Sequence, residues 1–315
     1  MTESVTTVSR PRITPKRHRR SLTSVIDSYS CREERIAALL AGWEQGTRSR
    51  VYREARAMTI EYRAARGFKA RPADILTPPS ANTKLAKGAR PTFGLTLQSH
   101  AVTLIDGTLA TCCPWAGLCT GVCVLNRGNG RYASVQRARD WRTDFIALHP
   151  LDALTMIGAE LKRAVQKHGE ILFRPNVNSD IAWRAVVGGT FAELPNVASY
   201  GYSKMTLTTD VFGARWERLH GLNHVAYSVS ERSDDVAVQQ HLDSGGMVAV
   251  VTDRQPKQPI EQWHTATVVD ADISDEWMVE PAESRGLIGD LSFKTDERDR
   301  DRFPRFVRKV GYAIS

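Results

Sequence analysis

The stretch that decides the fold is HVAYSVSERSDDVAVQQHLDSGGMVAVVT, residues 224–252. Its two ends, 224–229 and 247–252, are short apolar runs rich in β-branched residues. They are continuous rather than alternating in polarity, which is typical of strands buried on both faces of a parallel sheet. Between them, residues 234–243 have the pattern of an amphipathic helix, and Gly245 stands where that helix should end. The stretch therefore predicts one strand–helix–strand unit.

The same unit recurs along the C-terminal two thirds of the chain. Further strand-like runs are 93–97, 102–105, 171–174, 197–202, 267–269 and 287–291. Helical stretches between such runs are 150–168, 181–194 and 211–220. Alternation of this kind indicates βα units. Because six or seven units occur without a dinucleotide-binding fingerprint, the predicted fold class is α/β, a complete or partial (β/α) barrel, with a doubly wound sheet as the alternative.

The N-terminal third of the chain has a different character. Residues 1–22 are polar and basic and predict a disordered arm. Residues 23–67 have apolar positions at three- and four-residue spacings and predict a helical segment with two helices. Residues 68–92, rich in Pro, Ser, Asn and Lys, predict a linker. The barrel-like domain is then expected over 93–315.

The composition is that of an ordinary globular protein, with 42% hydrophobic and 25% charged residues among 315. No apolar run reaches the roughly 18 residues that a membrane span needs, so no membrane partner is expected. The N-terminus lacks the apolar stretch of a secretory signal, which predicts a cytoplasmic location. Thiols stay reduced there, and clustered cysteines then indicate metal binding or catalysis rather than disulfides.

The positive charge is concentrated at the N-terminal end. Residues 1–100 contain 19 Lys and Arg and 8 Asp and Glu, a net +11, so the remaining 215 residues carry −3 of the total +8. A basic arm suggests an anionic partner, and nucleic acid, DNA in particular, is the expected one. A solvated tail is the alternative. The candidate nucleic-acid-binding residues are Arg17, Arg19 and Arg20 of the arm, with Arg127 and Arg131 of a glycine-rich turn that would otherwise be an ordinary surface turn.

A cysteine-rich loop at 111–123 is the strongest chemical signal, since it holds four of the five cysteines. Cys113, Cys119 and Cys123 have the spacing C-x5-C-x3-C with glycines between, so the loop can bring three sulfurs together. Thiolates are soft ligands that suit zinc, copper(I) or iron–sulfur clusters. Three cysteines would hold a four-iron cluster with one iron open, whereas a fourth ligand, Cys112 or a histidine, would close a zinc site. Buried, inert cysteines are the alternative, and Cys112 is expected to be structural.

Polar side chains follow several of the predicted strands, where a (β/α) barrel places its functional groups. Carboxylates and a lysine that meet at one edge can transfer protons or hold a polar ligand. The candidate catalytic residues are Asp180, Lys204, Glu231 and Asp253. The candidate cofactor-binding residues are Asn176, Asn178, Ser228, Ser230 and Glu231. Asp180 alone has a local alternative, because it stands just before a predicted helix and Asp is a common N-cap.

The order of these motifs resembles a known family. It comprises the Cys-Pro…Cys…Cys loop, Phe173-Arg174-x-Asn176-x-x-Ser179-Asp180, Tyr200-x-Tyr202-x-Lys204, Ser228-x-Ser230-Glu231 and Val269-Asp270-x-Asp272. Over about residues 80–295 it resembles proteins of actinobacterial phages and related mobile elements, of the mycobacteriophage gene product 88 type. That family is similar in outline to radical S-adenosylmethionine (SAM) enzymes, with a three-cysteine loop after the first strand of the barrel.

The resemblance implies an iron–sulfur enzyme that acts on nucleic acid or a nucleotide. Cys113, Cys119 and Cys123 match the cluster positions, and the segment from Ser228 to Glu231 resembles an edge that contacts SAM. Two other functions stay open. One is a zinc-containing DNA base transglycosylase that inserts deazaguanines, with Asp180 or Asp253 as nucleophile and the base flipped into the barrel mouth. The other is a zinc-stabilised nucleic-acid-binding protein without enzymatic activity.

Overall fold

The structure is a computed structural model that describes residues 19–83, 85–123, 125, 128–207, 211–252, 262–263, 266–279 and 286–292. Three predicted site residues, Arg17, Arg127 and Asp253, lie outside the described residues. None of the described helices is long and apolar enough to cross a bilayer.

Eleven strands form two sheets in the described part of the chain. They are β1 (Arg20–Ser21), β2 (Thr92–Gly94), β3 (Val102–Thr103), β4 (Leu109–Thr111), β5 (Ile171–Arg174), β6 (Val197–Ser203), β7 (His224–Ser228), β8 (Met247–Thr252), β9 (Gln262–Trp263), β10 (Ala266–Asp270) and β11 (Ile288–Ser292). The main sheet has the order β2-β5-β6-β7-β8-β11-β10-β9. Its first seven members are parallel to their neighbours, and β9 is antiparallel to β10. The small sheet has the order β1-β4-β3.

Nine α-helices accompany the sheets in the described residues. They are α1 (Leu22–Ile26), α2 (Arg32–Gln45), α3 (Arg50–Ala65), α4 (Ala133–Leu148), α5 (Pro150–His168), α6 (Trp183–Val187), α7 (Thr190–Glu193), α8 (Gly213–Glu217) and α9 (Asp235–Asp243). The helices α2 and α5 pack closely against each other. A Cβ on Gly42 would lie 2.0 Å from the Thr155 carbonyl oxygen, and one on Gly158 would lie 2.1 Å from the Leu39 oxygen. Two glycines thus let these helix backbones touch, so the N-terminal helices share the core of the sheet domain.

The two faces of the main sheet are covered differently. Side chains alternate along each strand, so in β7 Val225 and Tyr227 join the large core on the helix side, whereas Ala226 joins a second, smaller cluster. That smaller cluster is filled by Trp277 and Met278 from the turn after β10. Helices therefore cover one face of the sheet and an irregular segment covers the other.

The irregular segment is anchored by a buried charge pair. Arg174, at the end of β5, forms a salt bridge with Asp275, and the Tyr202 hydroxyl donates to the same carboxylate at 2.7 Å. The Arg174 guanidinium carbon lies 5.0 Å from the centre of the Tyr202 ring. A buried pair of this kind keeps the segment in one place, because loss of either partner would leave an uncompensated charge.

A second buried carboxylate fastens the chain that leads into β2. Glu160 of α5 accepts hydrogen bonds from the Ile75 and Leu76 amides at 3.0 and 2.9 Å, and from the Tyr52 hydroxyl at 3.4 Å. Burial raises the pKa of Glu160 to about 8. Part of the predicted linker is thus tied to a core helix by backbone hydrogen bonds.

The predicted α/β class is confirmed by this parallel sheet flanked by helices. The strands from β2 to β8 are neighbours in chain order, as in a (β/α) barrel, but β11 then inserts between β8 and β10. The two end strands, β2 and β9, do not pair with each other in the described residues, so the sheet is open there. At the N-terminus, residues 20–22 belong to β1 and α1 rather than to a disordered arm.

Candidate functional site

The cysteine-rich loop begins at the end of β4 and is fastened at its first residue. Cys112 is fully buried; its amide donates to the Ser99 carbonyl, and its own carbonyl accepts from the Asp180 amide, both at 2.7 Å. Burial raises the pKa of the Cys112 thiol, which keeps it neutral. The backbone at Cys112 thus joins the cysteine loop to the loop that follows β5.

Asp180 lies at the meeting point of these two loops and is almost fully buried. Its Oδ2 accepts from the Lys204 amide at 2.8 Å, whereas Oδ1 is buried with no hydrogen-bond partner within 3.5 Å. Burial raises the pKa of Asp180 to about 6, against the hydrogen bonds from Lys204 and Ser203 and the charge of Lys204. The N-cap interpretation is wrong, because α6 begins at Trp183 with Ala182 as its N-cap.

Lys204 follows β6 and reaches across to the next strand. Its Nζ donates to the Ser228 hydroxyl, at the end of β7, at 3.0 Å. Its charge also favours the thiolate of Cys119, although burial outweighs it and raises the pKa of that thiol. The ends of β6 and β7 therefore bring a cation, a hydroxyl and a thiol together.

Glu231, just beyond β7, holds the middle of the cysteine loop. Its Oε1 accepts from the Leu118 amide at 2.9 Å, and a Cβ on Gly117 would lie only 1.7 Å from that oxygen. Oε2 is buried and has no hydrogen-bond partner. The neighbouring Ser230 hydroxyl accepts from the Arg232 amide at 3.3 Å. Glu231 can approach the loop this closely because residue 117 has no side chain.

The three predicted ligand cysteines lie in one region. Burial is the main cause that raises the pKa of the Cys113 thiol. The charges of four nearby groups raise it further, those of Cys112, Asp180, Cys123 and Cys119. The Cys113 thiol donates to the Asn178 carbonyl at 3.6 Å. All these thiols are free rather than disulfide-bonded.

The thiols of this donor set suit a soft metal, and the unpartnered oxygens of Asp180 and Glu231 are harder donors beside them. The arrangement is not that of an assembled centre. Among the residues that the structure describes, no three Cys, His, Asp or Glu side chains lie close enough to hold one metal ion. The sulfurs of Cys113, Cys119 and Cys123 would have to move together to bind one.

The two candidate asparagines differ in what their side chains do. The Asn176 Oδ1 accepts from the Ser179 hydroxyl at 2.9 Å, and from the Ile181 amide and the Trp183 indole at 3.1 Å each. Its Nδ2 donates to the Ile181 carbonyl at 3.0 Å. Asn176 therefore braces the loop after β5, and its amide is already engaged. Asn178 is half-buried, and its backbone carbonyl, not its side chain, is the group that contacts Cys113.

Other predicted residues lie apart from this edge. Arg19, Arg20 and Arg131 are exposed, and Arg20 donates to the Ser24 carbonyl of α1 at 2.7 Å. Sequence reasoning did not single out Asp275, the partner of Arg174. The only local signal is Ser274, an N-cap whose hydroxyl accepts from Glu276, and that pattern is typical of any short helical turn.

Fold and site together define an α/β protein with a thiol-, lysine- and carboxylate-bearing site at the carboxyl edge of a parallel sheet. The family model described as Gene product 88 matches residues 75–303, more than two thirds of the chain. The chain belongs to this family. No curated protein and no solved structure is significantly similar to it.

Proposed function

We propose that the protein is a metal-dependent enzyme in which Cys113, Cys119 and Cys123 hold an iron–sulfur cluster or a zinc ion. The position of the cysteine loop carries this proposal. The loop lies between β2, the first strand of the parallel ladder, and α4, and it is fastened at the carboxyl edge where β5, β6 and β7 end. A three-cysteine loop after the first strand of a partial (β/α) barrel is the outline of radical-SAM enzymes.

The metal group would supply electron transfer if it is a cluster, or polarisation of a bound oxygen if it is zinc. The residues around it have separate roles. Asp180, with a pKa of about 6, is half protonated near pH 6 and can take up or release a proton at Oδ1. Lys204 places a positive charge beside Ser228 and Cys119 and can hold an anionic ligand group there.

SAM is the candidate cofactor of the cluster form, with Ser228, Ser230 and Glu231 as its candidate contacts. The chain has C-x5-C-x3-C where radical-SAM enzymes usually have C-x3-C-x2-C, and β11 takes a place in the sheet that departs from chain order. The proposed substrate is nucleic acid or a nucleotide, reached in the cytoplasm through Arg17, Arg19 and Arg20 of the arm.

Base exchange with a zinc site is the second candidate function. It is favoured by the unpartnered Oδ1 of Asp180, since a carboxylate oxygen without a hydrogen bond, in the loop after β5, is available as a nucleophile. This function predicts release of free guanine from DNA when a deazapurine is offered, and loss of that release in Asp180→Asn.

Metal and acid-labile sulfide content, measured on anaerobically purified protein, tests the first proposal. We expect about four iron and four sulfide per chain and absorption near 400 nm for a cluster. A colourless protein with one zinc ion per chain would rule out radical chemistry. Base exchange and non-enzymatic DNA binding would then be the two remaining functions. Each of Cys113→Ser, Cys119→Ser and Cys123→Ser should lower the metal content, whereas the exposed Cys31→Ser is the matched control. A metal-free chain, or equal loss in Cys31→Ser, would contradict the proposal.

A further inference from the structure

A second chemically distinctive surface lies where α3 ends and α4 begins, and we call Arg63, Phe68, Arg71 and Arg137 the Phe68 patch. Two guanidinium groups stack on one ring there. The guanidinium carbon of Arg63 lies 5.4 Å from the centre of the Phe68 ring, and that of Arg137 lies 5.5 Å from it. Arg137 also lies over the backbone at Gly67, where a Cβ would be 2.9 Å from its Nη1. One aromatic ring thus gathers two like charges.

Two carboxylates of the neighbouring elements, Asp74 and Asp144, are bound to other arginines, and Asp140, one turn after Arg137, accepts from the Gln98 amide at 2.6 Å. Asp74 pairs with Arg56 at 2.9 Å and with Arg163 at 2.6 Å, and Asp144 pairs with Arg66 at 2.7 Å. Within the described part of the chain, Arg63, Arg71 and Arg137 take part in no salt bridge. The patch therefore keeps an uncompensated positive charge, and Arg71 and Arg137 are exposed to solvent.

Arg63 is left incompletely satisfied by the fold. Its Nε is buried and has no hydrogen-bond partner. Its pKa is lowered first by burial and then by repulsion from Arg56 and Arg71. A buried donor without an acceptor, among like charges, costs free energy that a bound anion would recover.

The patch is close in the chain to the candidate site. The cysteine loop runs through the turn at Arg131 and the exposed Tyr132 directly into α4, the helix that carries Arg137. Burial lowers the pKa of Arg139 of the same helix, and the charges of Asp140 and Cys123, both close to it, oppose that shift. The patch and the cysteine loop are therefore joined through the first turns of α4.

We propose that the Phe68 patch binds the phosphate backbone of a single nucleic-acid strand, with Tyr132 available to stack on a base. Guanidinium groups and an exposed aromatic ring are the usual elements of single-strand recognition. This inference extends the proposed function. It rests on that function only in assuming that the bound strand is the substrate of the cysteine-loop site. It assigns a binding surface within the folded part of the chain, separate from the arm.

Fluorescence anisotropy with labelled single-stranded DNA, over a range of salt concentrations, tests the patch on the full chain. In Arg63→Gln/Arg137→Gln we expect about tenfold weaker binding and a salt slope reduced by about 1.4, since each phosphate contact on a single strand contributes about 0.7. A duplex of the same sequence should lose less affinity. The matched control is Arg32→Gln/Arg50→Gln, which removes two exposed arginines paired with Glu33 and Glu54.

Unchanged affinity and slope in the folded double variant would overturn the patch, as would an equal loss in the control. If the double variant does not fold, Arg71→Gln/Arg137→Gln tests the same surface with two exposed residues. Stronger loss on duplex than on single strand would overturn the choice of ligand. The metal content of the same preparation is measured in parallel, so a metal-free protein that still binds DNA through the patch would refute only the proposed enzyme.

Discussion

Glu160 and Asp180 are both buried carboxylates, and they differ in the hydrogen bonds of their second oxygen. Both oxygens of Glu160 accept backbone hydrogen bonds, from Ile75 and Leu76. Asp180 has one oxygen bound to the Lys204 amide and one without a partner. Burial raises the pKa of each, to about 8 and about 6. A buried carboxylate thus stabilises the fold at Glu160, whereas at Asp180 it leaves one acceptor oxygen without a donor.

This difference in hydrogen bonding distinguishes structural from functional polar groups in this chain. A buried group whose hydrogen bonds are all made is explained by the free energy it contributes to folding. A buried oxygen without a partner costs free energy, and a fold retains it where a ligand, a proton or a metal completes it. Mutations at the two carboxylates should therefore separate stability from binding.

The largest effect is expected for Glu160→Ala. It leaves the Ile75 and Leu76 amides buried without acceptors and opens a cavity, which should lower the free energy of unfolding by about 4 kcal/mol. Urea denaturation at neutral pH measures this. Glu160→Gln keeps one acceptor oxygen and should lose about half as much. A loss below about 1 kcal/mol in Glu160→Ala would show that this carboxylate does not hold the connector.

Asn176→Ala tests whether a side chain beside the site, with its amide oxygen and nitrogen both hydrogen-bonded, also stabilises the fold. It leaves the Ile181 amide and the Trp183 indole without their acceptor, so the free energy of unfolding should fall by about 3 kcal/mol. Asn178→Ala, two residues away, is the matched control and should change stability by less than about 0.5 kcal/mol. If Asn178→Ala is the more destabilising of the two, the assignment of Asn176 as a brace is wrong.

Asp180→Asn should show its effect through pH. The folded pKa of about 6 lies above the ordinary value of 3.8 for an aspartate, so the stabilisation by protonated Asp180 is fully present only below pH 3.8. This contribution, about 2 to 3 kcal/mol, is lost as the pH rises through 6. The stability of the native chain relative to Asp180→Asn should therefore fall between pH 4 and about 6.5. Parallel pH curves for the two proteins would show that Asp180 is not held protonated by the fold.

The smallest effect is expected for Gly117→Ala. The new methyl would occupy the place of the Glu231 carboxylate, a flexible end that can move, so stability should change by less than about 1 kcal/mol. The Leu118 amide would lose its acceptor and the cysteine loop its fastening. Cys119 should then react several times faster with iodoacetamide. Gly189→Ala, whose Cβ would make ordinary contact with Glu193, is the control and should leave the rate unchanged.

Local patterns predicted the individual elements well. The continuous apolar runs at 171–174 and 247–252 and the helix at 150–168 occur with the predicted bounds, because burial on both faces and helical periodicity are visible in short windows. The predicted helix over 181–194 is instead two short helices. Gly188 between them has φ +62°, a left-handed conformation that ends a helix, and the Gly188-Gly189 pair was the available signal.

Tertiary relations were harder to predict. The structure brings Asp180, Lys204 and Ser228 into contact beyond the ends of β5, β6 and β7, and their roles stay predictions. The position of β11 and the pairing of Arg174 with Asp275 join parts of the chain that no local window covers. The predicted three-cysteine ligand set stays a prediction, because spacing indicates which sulfurs can meet and not whether they do so without metal.

The insertion of β11 between β8 and β10 has a consequence for synthesis on the ribosome. Strands from β2 to β8 can each pair with a neighbour already made, but β10 leaves the ribosome before its parallel partner β11 exists. Until then β8, an uncharged apolar strand, is an open edge, and such edges recruit other chains. A pause or truncation between 252 and 288 should therefore yield aggregates of nascent chains, whereas an interruption after 292 should not.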